Sequence, residues 1–172
     1  MSLLIRQAMP QDVGTLVDIL QQAARWLADR GMAMWQMEEL FPSRVADEVN
    51  LGLFFLAERD GEVAGTIRFQ LEDKLFWPDI KQDDSAFIHR LAIRRRFAGG
   101  DVSSALMLWA IARTDSLGRR YLRMDCEASR LRLREIYERL GFRFHSNRQV
   151  GPYFVARYEY DIAAVCAPKR HL

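Results

Sequence analysis

The chain has 172 residues, 49% of them hydrophobic, so it is long enough and apolar enough for about one domain with a buried core. Its two cysteines, Cys126 and Cys166, are too few for a disulfide framework, and no Cys/His cluster has metal-ligand spacing. The polar start MSLLIRQAMPQD lacks a signal-peptide core, and no apolar run reaches membrane-spanning length, so we expect a cytoplasmic protein with reduced thiols.

The formal net charge of +2 is divided unevenly along the chain. Residues 1–85 contain 8 Lys and Arg against 15 Asp and Glu, a net of −7, whereas residues 86–172 contain 17 against 8, a net of +9. The basic half indicates an anionic ligand, and the acidic half would attract a cation. For most of these side chains the simpler interpretation, that they solvate the surface, is sufficient.

The first elements are predicted to be a short strand and two helices. Residues 3–7 favour a strand, and residues 10–31 repeat apolar side chains at helical spacing up to Gly31, a good stop signal. Ser43 is placed to cap a second helix, and Gly52 is placed to end it.

A hairpin is predicted next, because Asp60-Gly61 separates two runs rich in apolar and β-branched residues. The elements predicted beyond it are a strand at 86–93, a helix from 102 to Gly118, a strand at 121–125, a helix ending at Gly141 and a last strand at 153–162.

The stretch RRRFAGGDVSSALM, residues 94–107, puts three arginines and a glycine pair directly before the predicted helix. A strand that passes through a glycine turn into a helix points unpaired N–H groups and the positive end of the helix dipole at one place, which favours an anion. A glycine pair also serves as a plain turn, so the motif alone supports both interpretations equally.

The C-terminal half resembles the GNAT superfamily of N-acetyltransferases, which use acetyl-coenzyme A. The resemblance is carried by AFIHRLAIRRRFAGGDVSSALM and by the later MDCEASRLRLREIYERLGF, where the closing motif Tyr-Glu-x-x-Gly-Phe is intact. The four motif positions are Tyr137, Glu138, Gly141 and Phe142. The order of elements over residues 3–161 is also similar to that of the family.

This resemblance implies an α/β (α+β) fold with a mixed, mostly antiparallel central sheet flanked by helices. The expected order is β-α-α-β-β-β-α-β-α-β within a single domain, residues 1–172, in which 163–172 form a flexible tail. It also implies an enzyme that moves an acetyl group from acetyl-coenzyme A to an amine.

The family's pyrophosphate loop, Arg/Gln-x-x-Gly-x-Gly/Ala, is altered here. Ala98 stands where the family motif has Arg or Gln, Asp101 stands where it has its first glycine, and Ser103 stands at its last small position. A carboxylate at residue 101 repels a diphosphate, but backbone donors remain and nearby arginines offset the repulsion. We therefore expect coenzyme A to bind. The implied contacts are Leu91, Ala92, Ile93, Arg96, Ala98, Gly99, Gly100, Asp101, Val102, Ser103, Ser104 and Arg130.

Tyr137 matches the family's tyrosine that faces the coenzyme sulfur, and a phenol is a suitable proton donor for a departing thiolate. The alternative is that Tyr137 is only a core residue, since it continues a helical apolar pattern with Leu133 and Leu140. The resemblance also implies that backbone groups of Leu91 and Ile93 hold the pantetheine arm and polarise the thioester carbonyl.

The base that deprotonates the amine is left open. His89 alternates in register with Leu91 and Ile93, so it is a catalytic candidate, although a half-buried structural histidine is the simpler explanation. Asp125, Glu127 and a water chain are further candidates.

The acceptor is expected to meet the N-terminal half of the chain. Trp35, Gln36 and Trp77 lie outside the helical patterns and are candidates for its pocket, although such tryptophans more often cover a core edge. The acidic half favours a cationic acceptor: a small amine, a polyamine or a protein amine.

Two other functional classes compete with this one. A coenzyme A or acyl-coenzyme A sensor without turnover would fit the altered loop. Nucleic-acid binding would use the basic half, but no base-reading module accompanies it, so no nucleic-acid or membrane partner is predicted. The final strands, rich in Phe and Tyr, indicate a homodimer.

Overall fold

The computed structural model describes residues 3–32 and 34–166. Within them the chain forms two compact units. The first comprises the described residues from 3 to 69 together with Arg90–Trp109, and the second comprises Gln70–His89 together with residues 110–166. The predicted single domain therefore stays a prediction.

The first unit consists of antiparallel strands with two helices between the first and second. Strand β1 (Leu3–Gln7) pairs with β2 (Phe54–Arg59), and β2 pairs with β3 (Glu62–Gln70). Buried Leu16, Ile19 and Leu20 of the first helix recur at helical spacing and share a core with Phe54 and Leu56 of β2. Its complete elements are β1 (Leu3–Gln7), α1 (Val13–Ala28), α2 (Pro42–Asn50), β2 (Phe54–Arg59) and β3 (Glu62–Gln70).

The predicted cap at Ser43 is wrong. Helix α2 begins at Pro42, with Phe41 as its capping residue and no side-chain hydrogen bond there, so Ser43 lies inside the first turn. Proline is favoured at the first helical position because its fixed φ suits the helix and its missing N–H is not needed. The predicted stop at Gly52 is confirmed by its φ of +72°.

The predicted hairpin is confirmed by the backbone of its turn. Asp60 has φ +51° and Gly61 has φ +81°, and β2 and β3 run antiparallel on either side. Two successive positive φ values are those of a type I′ turn, whose twist matches that of the strands it joins.

The second unit surrounds a parallel strand pair. Strand β4 (Ser85–Ile93) runs parallel to β5 (Tyr121–Glu127) from Ser85 to Ile88. Strand β5 is antiparallel to β7 (Tyr153–Asp161), and β7 is antiparallel to β6 (Arg143–Val150). Trp77, Phe87 and Phe142 are among its buried side chains. Its elements, including two that begin or end in the first unit, are β4 (Ser85–Ile93), α3 (Val102–Ser116), β5 (Tyr121–Glu127), α4 (Leu131–Arg139), β6 (Arg143–Val150), β7 (Tyr153–Asp161) and α5 (Ile162–Cys166).

Across the described residues the seven strands have the order β1-β2-β3-β4-β5-β7-β6. The predicted mixed, mostly antiparallel sheet with helices is confirmed, but the predicted order is wrong at its end, because two strands follow α4 in the described residues. The missed strand, β6, reads RFHSNRQV and is mostly exposed. An edge strand with little burial has no alternating apolar pattern to reveal it.

The predicted tail at 163–172 lies only partly within the described residues. Residues up to Cys166 belong to the short helix α5, and 167–172 lie outside that range. In the described segments, no helix has both the length and the apolar character needed to cross a membrane.

Candidate active site

The predicted pyrophosphate loop lies in the first unit, between β4 and α3. A short 3-10 turn, Arg95–Phe97, is followed by an extended Ala98 and then by Gly99 at φ +81°. No other group lies within 4 Å of the place where a side chain would start at Gly99. Glycine is needed there for its backbone conformation, because an L side chain rarely adopts that φ.

The anion-site prediction concerns the first amide groups of α3. The N–H of Ala105 donates to the carbonyl of Asp101 over 2.8 Å, a bond of the first helical turn. The N–H groups of Val102, Ser103 and Ser104 precede that bond and have no carbonyl one turn earlier in the helix. They and the helix dipole are suited to an anion.

Asp101, the residue expected to repel a diphosphate, has a cationic partner. Arg59 Nη2 at the end of β2 lies 2.5 Å from Asp101 Oδ1. This hydrogen bond holds the pKa of Asp101 below its usual value, so the carboxylate stays ionised while the guanidinium balances its charge. The sequence patterns did not predict Arg59, since nothing local links residues 59 and 101.

Each arginine of the RRR stretch has a partner within the first unit. Arg94 Nη1 pairs with Asp18 at 2.6 Å, Arg95 lies 4.0 Å from the centre of the Trp26 ring, and Arg96 forms an ion pair with Glu62. The Arg96–Glu62 pair is on the surface, and such pairs contribute little stability. To contact a phosphate, Arg96 would have to leave Glu62 and pair with the ligand. This contact therefore remains a prediction.

The end of β4 has an unusual backbone. Arg90 has φ +50°, a left-handed value that is uncommon outside glycine and that concentrates at functional sites. Parallel pairing of β4 with β5 ends at Ile88, before Leu91 and Ile93. Ala92 is buried in the core of the first unit. Contacts of 91–93 with a pantetheine arm stay a prediction.

Tyr137 lies on α4 in the second unit, and its side chain is buried. Burial raises the pKa of the Tyr137 phenol above its usual value, Cys126 and Asp125 raise it further, and Arg130 opposes them. The phenol is therefore protonated at neutral pH, as a proton donor must be. Its ring also packs against Phe142, so the core role and the donor role are compatible.

The rest of the Tyr-Glu-x-x-Gly-Phe motif has a structural explanation. Glu138 Oε1 accepts a hydrogen bond from the Tyr158 hydroxyl at 2.9 Å, and that hydroxyl accepts one from Arg134. Gly141 has φ +96°, and a Cβ there would lie 3.0 Å from the Tyr160 ring. The motif thus ends α4 and fixes Tyr137. Arg130 immediately precedes α4.

His89 forms a cluster with two aspartates of the second unit. His89 Nε2 lies 2.8 Å from Asp73 Oδ2, and His89 Nδ1 lies 3.7 Å from Asp125 Oδ2. Their side chains are 13%, 4% and 9% exposed, in the order His89, Asp73, Asp125. The sequence patterns singled out His89 and Asp125 separately, but they did not predict Asp73.

Within this cluster, the ionised form of Asp125 is poorly stabilised. Burial raises the pKa of Asp125 to about 6, and Asp73 adds to that shift, whereas His89, Arg157 and Trp77 oppose it. A buried carboxylate whose pKa is shifted toward neutral pH beside a specific charged partner is a candidate for function. The ligand atoms of the three residues lie within 4.8 Å of one another, so they are close enough to share a cation.

The candidate acceptor residues belong to different compact units. In the first unit, Trp35 packs partly buried against the helical core and Gln36 is exposed. Trp77, in the second unit, is fully buried, with the Arg157 guanidinium 4.6 Å from its ring centre. Its burial argues against a direct acceptor contact and for the core role that was the alternative.

The sequence of this chain is similar to that of a known protein family. Residues 19–142 match the model of the Acetyltransferase (GNAT) family. The chain is 27% identical over 143 residues to the uncharacterized N-acetyltransferase YesJ of Bacillus subtilis, covering 80% of this chain and 79% of that one.

Solved structures share the fold. A GNAT-family acetyltransferase from Listeria monocytogenes superposes with a TM-score of 0.78 at 24% identity, covering 92% of this chain and 94% of that one. The PaiA N-acetyltransferase of Thermoplasma acidophilum, crystallised with coenzyme A, superposes with a TM-score of 0.72 at 18% identity. The superposition covers 93% of this chain and 100% of that one.

Proposed function

The chain belongs to the GNAT acetyltransferase family, whose co-substrate is acetyl-coenzyme A, and from this premise we propose that it acetylates a primary amine. The acceptor class is a small amine, a polyamine or a protein amine. The observation that carries the proposal is Tyr137, a buried and protonated phenol inside an intact family motif.

In the proposed binding mode, the first-turn amides of α3 donate to the pyrophosphate of the coenzyme. Gly99 supplies the turn before the helix, and Arg59 keeps the Asp101 carboxylate from repelling the ligand. Backbone donors suit this role because their positions do not depend on the altered side chains of the loop. The residues present therefore fit a diphosphate.

In the proposed reaction, the amine nitrogen attacks the thioester carbonyl carbon, a C–N bond forms and the C–S bond breaks. Tyr137 gives its phenolic proton to the departing sulfur, and the proton that the nitrogen loses after its attack restores the phenol. Holding both reactants in line supplies much of the rate. A protonated donor at the sulfur prevents a free thiolate from accumulating.

The test is to combine the protein with acetyl-coenzyme A and a panel of amines and to measure released thiol. Thermal-shift measurement with coenzyme A first establishes that the ligand binds. Tyr137→Phe is expected to lower kcat about 100-fold, the usual contribution of a general acid, with coenzyme affinity unchanged. Tyr121→Phe, which removes the hydroxyl of a partly buried tyrosine at the start of β5, is the matched control and should retain full activity.

The competing proposal, an acyl-coenzyme A sensor, makes a different prediction in the same experiment. A sensor would gain stability with acetyl-coenzyme A but release no thiol with any amine above the rate of hydrolysis. Equal activity of Tyr137→Phe and the wild type would remove the proton-donor role while leaving the transferase class in place.

A further inference from the structure

His89 of the second unit lies between two carboxylates, and its hydrogen bonds identify which ring nitrogen is free. Asp73 Oδ1 accepts the N–H groups of Phe76 at 3.0 Å and Leu75 at 3.2 Å, and Asp73 Oδ2 lies 2.8 Å from His89 Nε2. Burial raises the pKa of Asp73, but the His89 hydrogen bond and these amides outweigh it, and the pKa is lowered overall.

An ionised carboxylate only accepts hydrogen bonds, so Asp73 requires His89 Nε2 to carry the hydrogen. In the neutral imidazole the other nitrogen, Nδ1, then holds a lone pair. The tautomer is assigned here from the hydrogen-bond network, as it generally must be. Asp73 therefore makes His89 Nδ1 a proton acceptor.

The group that faces this lone pair is also an acceptor. Asp125 Oδ2 lies 3.7 Å from His89 Nδ1, too far for a hydrogen bond, and among the described residues it makes no hydrogen bond of ordinary geometry, although the Trp77 side chain also faces this carboxylate. The Asp125 side chain is only 9% exposed. Two buried acceptors that face each other without a donor are costly, and such a pair in a native protein calls for an explanation.

A primary ammonium group has the properties that the pair lacks, since it carries a positive charge and three N–H donors. We propose that the ammonium group of the acceptor binds between His89 Nδ1 and Asp125 Oδ2, that His89 removes its proton, and that Asp73 positions the imidazole. This assignment rests on the proposed acetyltransferase function and specifies its acceptor as a cationic primary amine.

The proton transfer balances within these groups. One N–H bond of the ammonium breaks, its electron pair stays on nitrogen as the attacking lone pair, and a new N–H bond forms at His89 Nδ1. The resulting imidazolium is flanked by Asp73 and Asp125, whose negative charges stabilise it. His89 returns the proton to solvent before the next turnover.

A single metal ion suits the cluster less well. Asp73 and Asp125 face different nitrogens, on different edges of the imidazole ring. An ion bound to one nitrogen could reach both carboxylates only if the ring or a carboxylate turned. Metal binding is therefore kept as an outcome of the test that would overturn the proposal.

The test compares three variants by steady-state kinetics with acetyl-coenzyme A and the best amine of the panel. Asp125→Asn is expected to raise KM for the amine at least about tenfold, as for a lost charged hydrogen bond, with KM for acetyl-coenzyme A unchanged. His89→Gln is expected to lower kcat about 100-fold. Asp73→Asn should shift the pH profile of kcat/KM, because an asparagine at this position no longer requires His89 Nε2 to carry the hydrogen. Asp83→Asn, the loss of an exposed carboxylate of the same unit, is the matched control.

Folding of Asp125→Asn is checked by melting temperature against pH. Asp125 faces His89, Asp73, Arg157 and Trp77, and its folded pKa of about 6 lies above the ordinary 3.8. Its contribution to stability is thus complete below about pH 4 and is lost as the pH rises through 6. The asparagine variant should therefore melt higher than the wild type at pH 8, with the difference closing below pH 4. A lower melting temperature at pH 8 would indicate a structural role for Asp125 and overturn the proposal.

Nitrogen NMR of the imidazole gives a readout that does not need turnover, with His89→Gln identifying the signal. The proposal requires protonated Nε2 and unprotonated Nδ1 in the neutral ring, and the opposite tautomer contradicts it. If the wild type releases thiol but the variants keep their kinetic constants, this inference alone fails. If no amine supports release, the proposed function fails as well. A Zn²⁺ or Mn²⁺ melting shift that Asp125→Asn abolishes would assign the cluster to a metal instead.

Discussion

At the scale of single residues, the family resemblance aligns Asp101 with a glycine of the phosphate loop, and we expect Arg59 to offset that change. Arg59 and Asp101 are 42 positions apart in the sequence, and their side chains are 20% and 71% exposed. The Asp101 carboxylate adds a negative charge to the loop, and the Arg59 guanidinium beside it balances that charge.

Arg59→Gln is expected to weaken coenzyme A binding roughly threefold to tenfold, because an exposed charge near a diphosphate acts through solvent and is partly screened. Asp101→Asn alone should bind at least as tightly as the wild type. The double variant should recover most of the lost affinity, since no uncompensated carboxylate remains. Calorimetric titration at low and at physiological salt measures all four proteins.

If the double variant stays as weak as Arg59→Gln, Arg59 contacts the ligand itself and does not act by balancing Asp101. A change that persists at 1 M salt would also contradict an electrostatic origin, because the screening length there is only about 3 Å.

At the scale of elements, glycines at helix ends control how α4 leads into the strands after it. Gly141 has φ +96°, and the Tyr160 ring lies only 3.0 Å from the position that a Cβ would occupy, so both backbone conformation and space favour glycine. Gly14, in the first turn of α1, has an ordinary conformation and open space around it.

Gly141→Ala is expected to lower the free energy of unfolding by about 2 kcal/mol, because alanine is strained at positive φ and the Tyr160 ring must move. Gly14→Ala is the matched control and should raise it by about 0.5 kcal/mol, the helix propensity gain of alanine. Urea denaturation measures both. Equal effects of the two substitutions would mean that neither the φ value nor the Tyr160 contact matters.

At the scale of the whole molecule, β4 and α3 each contribute residues to both compact units. Unfolding either unit alone would require breaking a continuous strand and a continuous helix, whose hydrogen bonds form cooperatively. Exposed Phe144 and Phe154 on β6 and β7 are consistent with the predicted homodimer, which stays a prediction.

The protein is therefore expected to unfold in one transition. Calorimetric and van't Hoff enthalpies should agree, as they do when no intermediate is populated. Two resolved transitions, or a van't Hoff value well below the calorimetric one, would show that the units unfold separately. The same scan with coenzyme A should move the whole transition upward.

The sequence by itself determined the family resemblance, the hairpin at Asp60-Gly61, the glycine turn before α3 and the intact motif around Tyr137. These features depend on residues close together in the chain, whose backbone preferences and spacing are visible locally. Ser43 was misjudged because serine is a typical capping residue, whereas the helix already begins at Pro42. Strand β6 was missed because an exposed edge strand has no alternating apolar pattern.

Only the tertiary structure decided that Arg59 pairs with Asp101 and that Asp73, His89 and Asp125 meet. In both cases the partners are distant in sequence, and strand register and loop path bring them together. Residue types indicate what a side chain can do, but charge balance, tautomer and burial depend on the neighbours that folding supplies.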